Sequence, residues 1–170
     1  MPEGQLTGVN RYGYQMNDDK QVELGELLET PHARAIGMRL ETTADGKPLF
    51  RLPYDYHLIG DPDSGVLHGG VITAMLDQTA GLLARPPGLQ RDDYALATLD
   101  LRIDYMGPAT PGEDLLATGE CYKRTRNIAF VRAEAFQRSS SEPVASCVAT
   151  FMLDTRNAPT DTPSPATDGD

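Results

Sequence analysis

One long stretch of this chain repeats its apolar residues at helical spacing, and the chain beyond it reads as strand alone. In 72–84, Ile72, Met75, Leu76, Thr79 and Leu83 recur three and four residues apart and define a single buried face. Pro86-Pro87-Gly88 ends that helix. Downstream, Leu99, Leu101, Ile103 and Tyr105 alternate with Asp100, Arg102 and Asp104, the period of a strand. The segment 128–136 sets Val131, Ala133 and Ala135 against Arg132 and Glu134, and 114–122 is expected to pair with it through a turn near Thr125. The segment 144–153 is apolar at both parities, as in a strand covered on both faces. Upstream, 38–43 and 48–52 flank Asp45-Gly46 and read as a hairpin. Thr30-Pro31 and Gly37 bracket a short helix over 31–36, with another expected over 22–28. One central helix among five or six strands, without alternation of the two, excludes a doubly wound parallel sheet. It predicts an α+β domain in which an antiparallel sheet wraps around the helix.

The length of 170 residues suits one domain. The expected organisation is a flexible segment at 1–20, the domain at 21–155, and a disordered tail at 156–170 built from proline and small polar residues. With 25 acidic against 15 basic residues the net charge is −10, which argues against nucleic acid or an anionic membrane as partner, since nothing would offset phosphate repulsion. No apolar run approaches the ~18 residues of a membrane span. The opening MPEGQLTGVN lacks the layout of a signal peptide, so a cytoplasmic location is expected, with Cys121 and Cys147 as free thiols. One local basic patch, Lys123-Arg124-Thr125-Arg126, has the size to meet a small phosphorylated ligand, or is a solvated hairpin turn.

No GxSxG, Walker A or GxGxxG pattern occurs, so a nucleophile-elbow hydrolase or a nucleotide fold has no support. Asp61, Asp63 and Gly65 imitate the start of a calcium loop, but Ile72 stands where the twelfth-position glutamate belongs. His57, Asp61, Asp63 and His68 match no specific metal spacing and read better as a surface turn; no metal is expected.

Chemistry concentrates in LHGGVITAMLDQTAG, residues 67–81. Paired glycines at a helix start admit close approach, and the amides of a first helical turn lack internal partners at the positive end of the dipole. They suit an anion or a developing oxyanion, or they merely make a tight turn. Asp77 is a poor helix former in an apolar, small-residue helix. It is either a solvated carboxylate or, since Gly70, Ala74, Gly81 and Ala84 share its side, part of a closely approached surface.

His68-Gly69-Gly70, with an aspartate nine residues after the histidine, resembles the phenylacetate-pathway (PaaI-like) branch of hotdog-fold acyl-CoA thioesterases. The segment Asp100-Leu-Arg-Ile-Asp-Tyr-Met-Gly-Pro-Ala109 resembles the strand that follows the helix in that family. The resemblance covers roughly residues 31–154. It implies a single hotdog domain that hydrolyses an acyl-CoA thioester, without a cofactor beyond the coenzyme A of the substrate. Asp77 resembles the catalytic carboxylate, acting as base toward water or as nucleophile. Gly69 and Gly70 resemble the backbone donors to the thioester carbonyl. Thr98 sits where the family often has a Ser or Thr that helps hold the water, and His68 anchors the loop through its ring rather than acting as base. Lys123, Arg124 and Arg126 fall where relatives often meet coenzyme A phosphates. The resemblance also implies a homodimer, often paired into a tetramer. Two chains per site is what helix geometry asks as well, because Gly70 and Asp77 stand about 10 Å apart at 1.5 Å per residue. One departure is Pro62, where many relatives carry an asparagine that assists the carbonyl donors. Two competing readings remain: a non-catalytic acyl-CoA-binding or sensing domain, and an acyl hydratase or dehydratase, which would need His57 paired with a carboxylate.

Overall fold

Alanine and glycine decide how closely the helix and the sheet approach. In the computed structural model, which describes residues 30–44, 46–86 and 95–153, six strands form one antiparallel sheet in the order β1-β2-β6-β7-β8-β5. They are β1 (Arg39–Thr42), β2 (Pro48–Leu52), β5 (Leu96–Tyr105), β6 (Leu115–Arg124), β7 (Ile128–Phe136) and β8 (Ala145–Leu153). A small pair, β3 (Ile59–Asp61) and β4 (Val66–Leu67), lies outside that sheet. Two α-helices occur among the described residues, α1 (Pro31–Ala35) and the long α2 (Gly69–Ala84).

The face turned to α2 carries Ala117 on β6, Ala129, Ala133 and Ala135 on β7, and Ala145 and Ala149 on β8, all buried. Phe50, Leu52, Leu115, Phe151 and Leu153 fill the space around that alanine floor. Gly119 lets β6 and β7 approach closely, since a Cβ there would stand 2.4 Å from the Arg132 carbonyl oxygen. Against this surface α2 sets Ile72, Met75, Leu76, Thr79 and Leu83, the face that the periodicity predicts, together with Ala80. Truncating the fully buried Leu76 to alanine should cost about 2–5 kcal/mol.

The architecture agrees with the expected α+β domain, an antiparallel sheet around one helix. The short helix is capped as its sequence suggests: Ala33 N–H donates to Thr30 Oγ1 at 3.2 Å, and Gly37 follows at φ 75°. The helix expected over 22–28, Asp45 of the hairpin turn, Pro87, Gly88 and the two expected loose ends lie outside the described residues.

Two strand expectations are corrected. β8 is covered on one face only, leaving Val148 49% and Met152 38% exposed, because among the described residues the single long helix lies on the other side. In β5 the alternation does not extend back to Leu99. Thr98 pairs with Phe151 and Asp100 with Thr150, so Leu99 is the extra residue of a β-bulge and is 51% exposed. Among the described residues β5 is also a sheet edge, bonded only to β8.

Candidate active site

The loop that delivers the chain into α2 is held from several sides. Tyr54 donates its hydroxyl to the Gly65 carbonyl at 2.7 Å, and Gly65 N–H donates to the Asp61 carbonyl at 2.8 Å. Gly60 lies against the motif histidine so closely that a Cβ would come within 2.9 Å of His68 Cα, a backbone atom that cannot easily yield. Pro62 stands in an exposed turn whose Asp61 carboxylate accepts from Ser64 Oγ at 2.5 Å and Asp63 N–H at 3.1 Å. Those bonds, the hydroxyl's first, hold Asp61 below the usual carboxylate range.

His68 is the N-cap of α2, which starts at Gly69, three residues before the start that periodicity suggests, because glycines leave no side chain to mark the period. Its Nδ1 accepts from Gly70 N–H at 2.9 Å, and its carbonyl accepts from Val71 N–H at 2.9 Å. The two expected carbonyl donors are therefore not equivalent. Gly70 N–H is taken by the ring of His68, whereas Gly69 N–H makes no hydrogen bond among the described residues. An amide left open at the positive end of a 16-residue helix is suited to receive negative charge.

Two turns along, half-buried Asp77 accepts from Thr98 Oγ1 at 3.1 Å, which joins the carboxylate to β5. The structure thus brings Asp77 and Thr98 together. Asp77 also lies near enough to Cys147 of β8 to oppose its ionisation. Burial first, and that charge among the lesser causes, push the thiol up to about 11. Sequence reasoning assigned no role to Cys147, Thr73 or Tyr105, although Tyr105 lies within the quoted strand motif. Tyr105 donates to the Gly69 carbonyl at 2.9 Å and sits 2.6 Å from Thr73 Oγ1.

Arg124 departs from the expected phosphate role. It is half-buried, and its guanidinium donates to the carbonyls of Leu83 (3.4 Å), Ala84 (3.2 Å) and Arg85 (3.0 Å) at the end of α2. A cation on orphan carbonyls at the negative end of the dipole is a helix cap. Lys123 and Arg126 are exposed. Among the described residues no three His, Cys, Asp or Glu side chains stand together closely enough to hold a metal ion. No helix among them is long and apolar enough to cross a membrane.

A sheet wrapped around one helix, with histidine and two glycines opening that helix, is the architecture of a hotdog-fold thioesterase. The sequence pattern of the thioesterase superfamily matches residues 64–144, from the turn before β4 to the start of β8. The medium/long-chain acyl-CoA thioesterase YigI of Escherichia coli is 31% identical over 143 residues, 76% of this chain and 91% of that protein. A solved protein of Pseudomonas aeruginosa is 37% identical with a TM-score of 0.67, covering 78% of this chain and 97% of its own. A thioesterase family protein of Silicibacter pomeroyi is 25% identical with a TM-score of 0.63, covering 77% and 95%. The chain belongs to the thioesterase superfamily, and its class of chemistry is thioester hydrolysis.

Proposed function

We propose that this chain hydrolyses acyl-CoA thioesters to the free acid and coenzyme A, with Asp77 activating water and Gly69 N–H receiving the carbonyl oxygen. The observation that carries the reading is the Thr98 Oγ1 to Asp77 Oδ1 bond of 3.1 Å. It fixes one carboxylate oxygen and leaves Oδ2 without a bond among the described residues, open to a water. As the water oxygen attacks the thioester carbon, Asp77 takes its proton and the carbonyl oxygen gathers charge against Gly69 N–H. The C–S bond then breaks, and its electron pair leaves on sulfur, which takes up the proton. Water, a carboxylate and an amide suffice for these steps, so the reaction as proposed needs no metal or prosthetic group. The name of the Escherichia coli relative favours medium and long aliphatic chains over aromatic acids as substrates.

The functional unit in this reading is a homodimer that shares its sites, with pairing into a tetramer as the larger assembly. Gly69 and Asp77 lie eight residues apart on one helix, about 12 Å at 1.5 Å per residue. Attacking water and carbonyl must meet within about 3–3.5 Å, so one helix cannot supply both groups to one thioester. Two antiparallel copies of α2 about a two-fold axis bring the glycine end of each to the carboxylate of the other. Gly70, Ala74 and Asp77, none of them fully buried, leave room for that approach. The ten-residue edge β5, with exposed Leu99 and Tyr105 and with exposed Met106 just beyond it, is unpaired on one side among the described residues, an edge of the kind that a second chain covers. Exposed Lys123 and Arg126 are the cations left to meet the coenzyme A phosphates.

Pro62 in its exposed turn favours one second reading, a domain that holds acyl-CoA without turning it over. The deciding experiment measures free thiol release from acyl-CoAs of short, medium, long and aromatic acyl groups under multiple turnover. Catalytic release, strongest on medium or long chains, supports the proposal. Stoichiometric binding without release replaces it with the second reading.

A further inference from the structure

Contacts from two elements converge on a single peptide group at the start of α2. The carbonyl of the Gly69–Gly70 peptide lies 2.9 Å from the Tyr105 hydroxyl and 3.2 Å from Thr73 Oγ1, and the two hydroxyls are 2.6 Å apart. The N–H of the same peptide donates to His68 Nδ1 at 2.9 Å. We propose that Tyr105 and Thr73 are positioning residues which, with His68, clamp this peptide and thereby aim the neighbouring Gly69 N–H at the thioester oxygen. The proposal rests on the reading of Gly69 N–H as the carbonyl donor.

The proton count explains why two hydroxyls serve one carbonyl. Three contacts close a triangle, but the hydroxyls hold two protons between them. Either Tyr105 donates to the carbonyl and Thr73 donates to Tyr105, or the order is reversed. In both arrangements the carbonyl accepts from an O–H that is itself polarised by accepting another, which strengthens the bond. The need for such a clamp follows from the sequence. Two consecutive glycines have the widest backbone freedom of any pair, and they stand at a helix end. An oxyanion donor that wanders by a fraction of an ångström loses much of its value. The preceding peptide units are anchored as well, with His68 N–H donating to the Leu58 carbonyl at 2.9 Å. Tyr105 is 52% exposed, yet its hydroxyl bonds inward. Its ring lies 3.7 Å from where a Cβ on Gly69 would stand, so it also packs over the glycine.

Tyr105→Phe keeps that packing and removes only the hydroxyl; Thr73→Val and Thr73→Ser separate hydroxyl from shape in the same way. Steady-state kinetics on the best acyl-CoA should give kcat about 10-fold lower for Tyr105→Phe, the factor that one ordinary hydrogen bond is worth, with KM within about two-fold. Thr73→Val should lower kcat as well, and Thr73→Ser should recover most of that loss. The double variant should be slower than either single one, because each hydroxyl lies within reach of the carbonyl and either alone can still donate to it. Amide exchange at Gly70 should quicken in the slow variants and not in Thr73→Ser. Unchanged kcat in Tyr105→Phe overturns the proposal, as does a double variant no slower than Tyr105→Phe alone. If the wild-type chain releases no thiol from any acyl-CoA, the proposed function has failed. The clamp is then judged on exchange alone, and equal Gly70 exchange in all variants overturns it too.

Discussion

Thr98 Oγ1 donates to Asp77 Oδ1 at 3.1 Å, and by this bond the edge strand of the sheet holds the carboxylate of the central helix. A carboxylate fixed at one oxygen presents the other in a defined direction, which a general base requires.

Asp77→Ala should therefore lower kcat by about 10²–10⁴-fold while leaving the circular dichroism spectrum and acyl-CoA binding intact. Thr98→Val should cost less, roughly 10-fold, since it frees the carboxylate without removing it. A single turnover in ¹⁸O-water should label the released acid. Label found first in Asp77 would instead make the carboxylate the nucleophile.

Gly69→Pro deletes one N–H with little other damage. Gly69 is the first residue of α2, where proline is welcome, and His68 before it is already extended at φ −65°, ψ 132°. Alone this variant should be nearly inactive. Mixed with Asp77→Ala chains under subunit exchange, about half the dimers become mixed, each with one intact site, and roughly a quarter of wild-type activity should return. No recovery, once mixed dimers are verified by mass, means that both groups serve a site within one chain.

Arg124 and Arg126 should separate by phenotype. Arg124→Ala strips the cap from α2 and should lower unfolding stability by about 1.5–3 kcal/mol in urea titration, because a charged donor is lost from several carbonyls. Arg126→Ala should leave stability unchanged and raise KM with kcat preserved, an effect that fades in high salt. An equal KM on full acyl-CoA would remove Arg126 from the substrate site.

Acid should act through Asp114. Tyr54 N–H donates to its carboxylate at 2.9 Å and Arg51 bonds it at 3.1 Å, which hold its folded pKa below the ordinary value. The stabilisation is therefore fully present above the unfolded pKa of about 3.9 and is lost as pH falls through the lower folded value. Asp114→Asn should lower Tm at pH 7 and flatten the acid limb of a Tm–pH curve. A wild-type limb retained in the variant would show that other carboxylates set it.

The central helix and the strand pattern were readable because burial writes its period into the sequence: Ile72, Met75, Leu76 and Leu83 are all buried. What was hidden depended on contacts distant in the chain. That Arg124 meets α2 rather than solvent is decided by a partner 40 residues away, and a basic hairpin looks the same in either case. The division of labour between Gly69 and Gly70 turns on the ring of His68, whose direction no spacing rule gives. β8 looked covered on both sides because apolar residues occupy both of its faces, yet Val148 and Met152 are open on one of them.

The bulge at Leu99 has a wider consequence. Thr98 and Tyr105 are seven positions apart, and along a regular strand an odd interval sends two side chains to opposite faces. Both reach the helix, Thr98 at Asp77 and Tyr105 at Gly69, because one unpaired residue resets the parity between them. The two halves of the site are thus phased by strand length as well as by residue identity. Substituting Leu99 spares that phase, and deleting it leaves an even interval of six that also keeps both side chains on the helix side. Deleting one of residues 100–104 with the bulge still in place instead turns one hydroxyl out of the site. Between Thr98 and Tyr105 it is therefore the count of paired residues that must stay fixed, and the unpaired one is the position the strand can vary or lose.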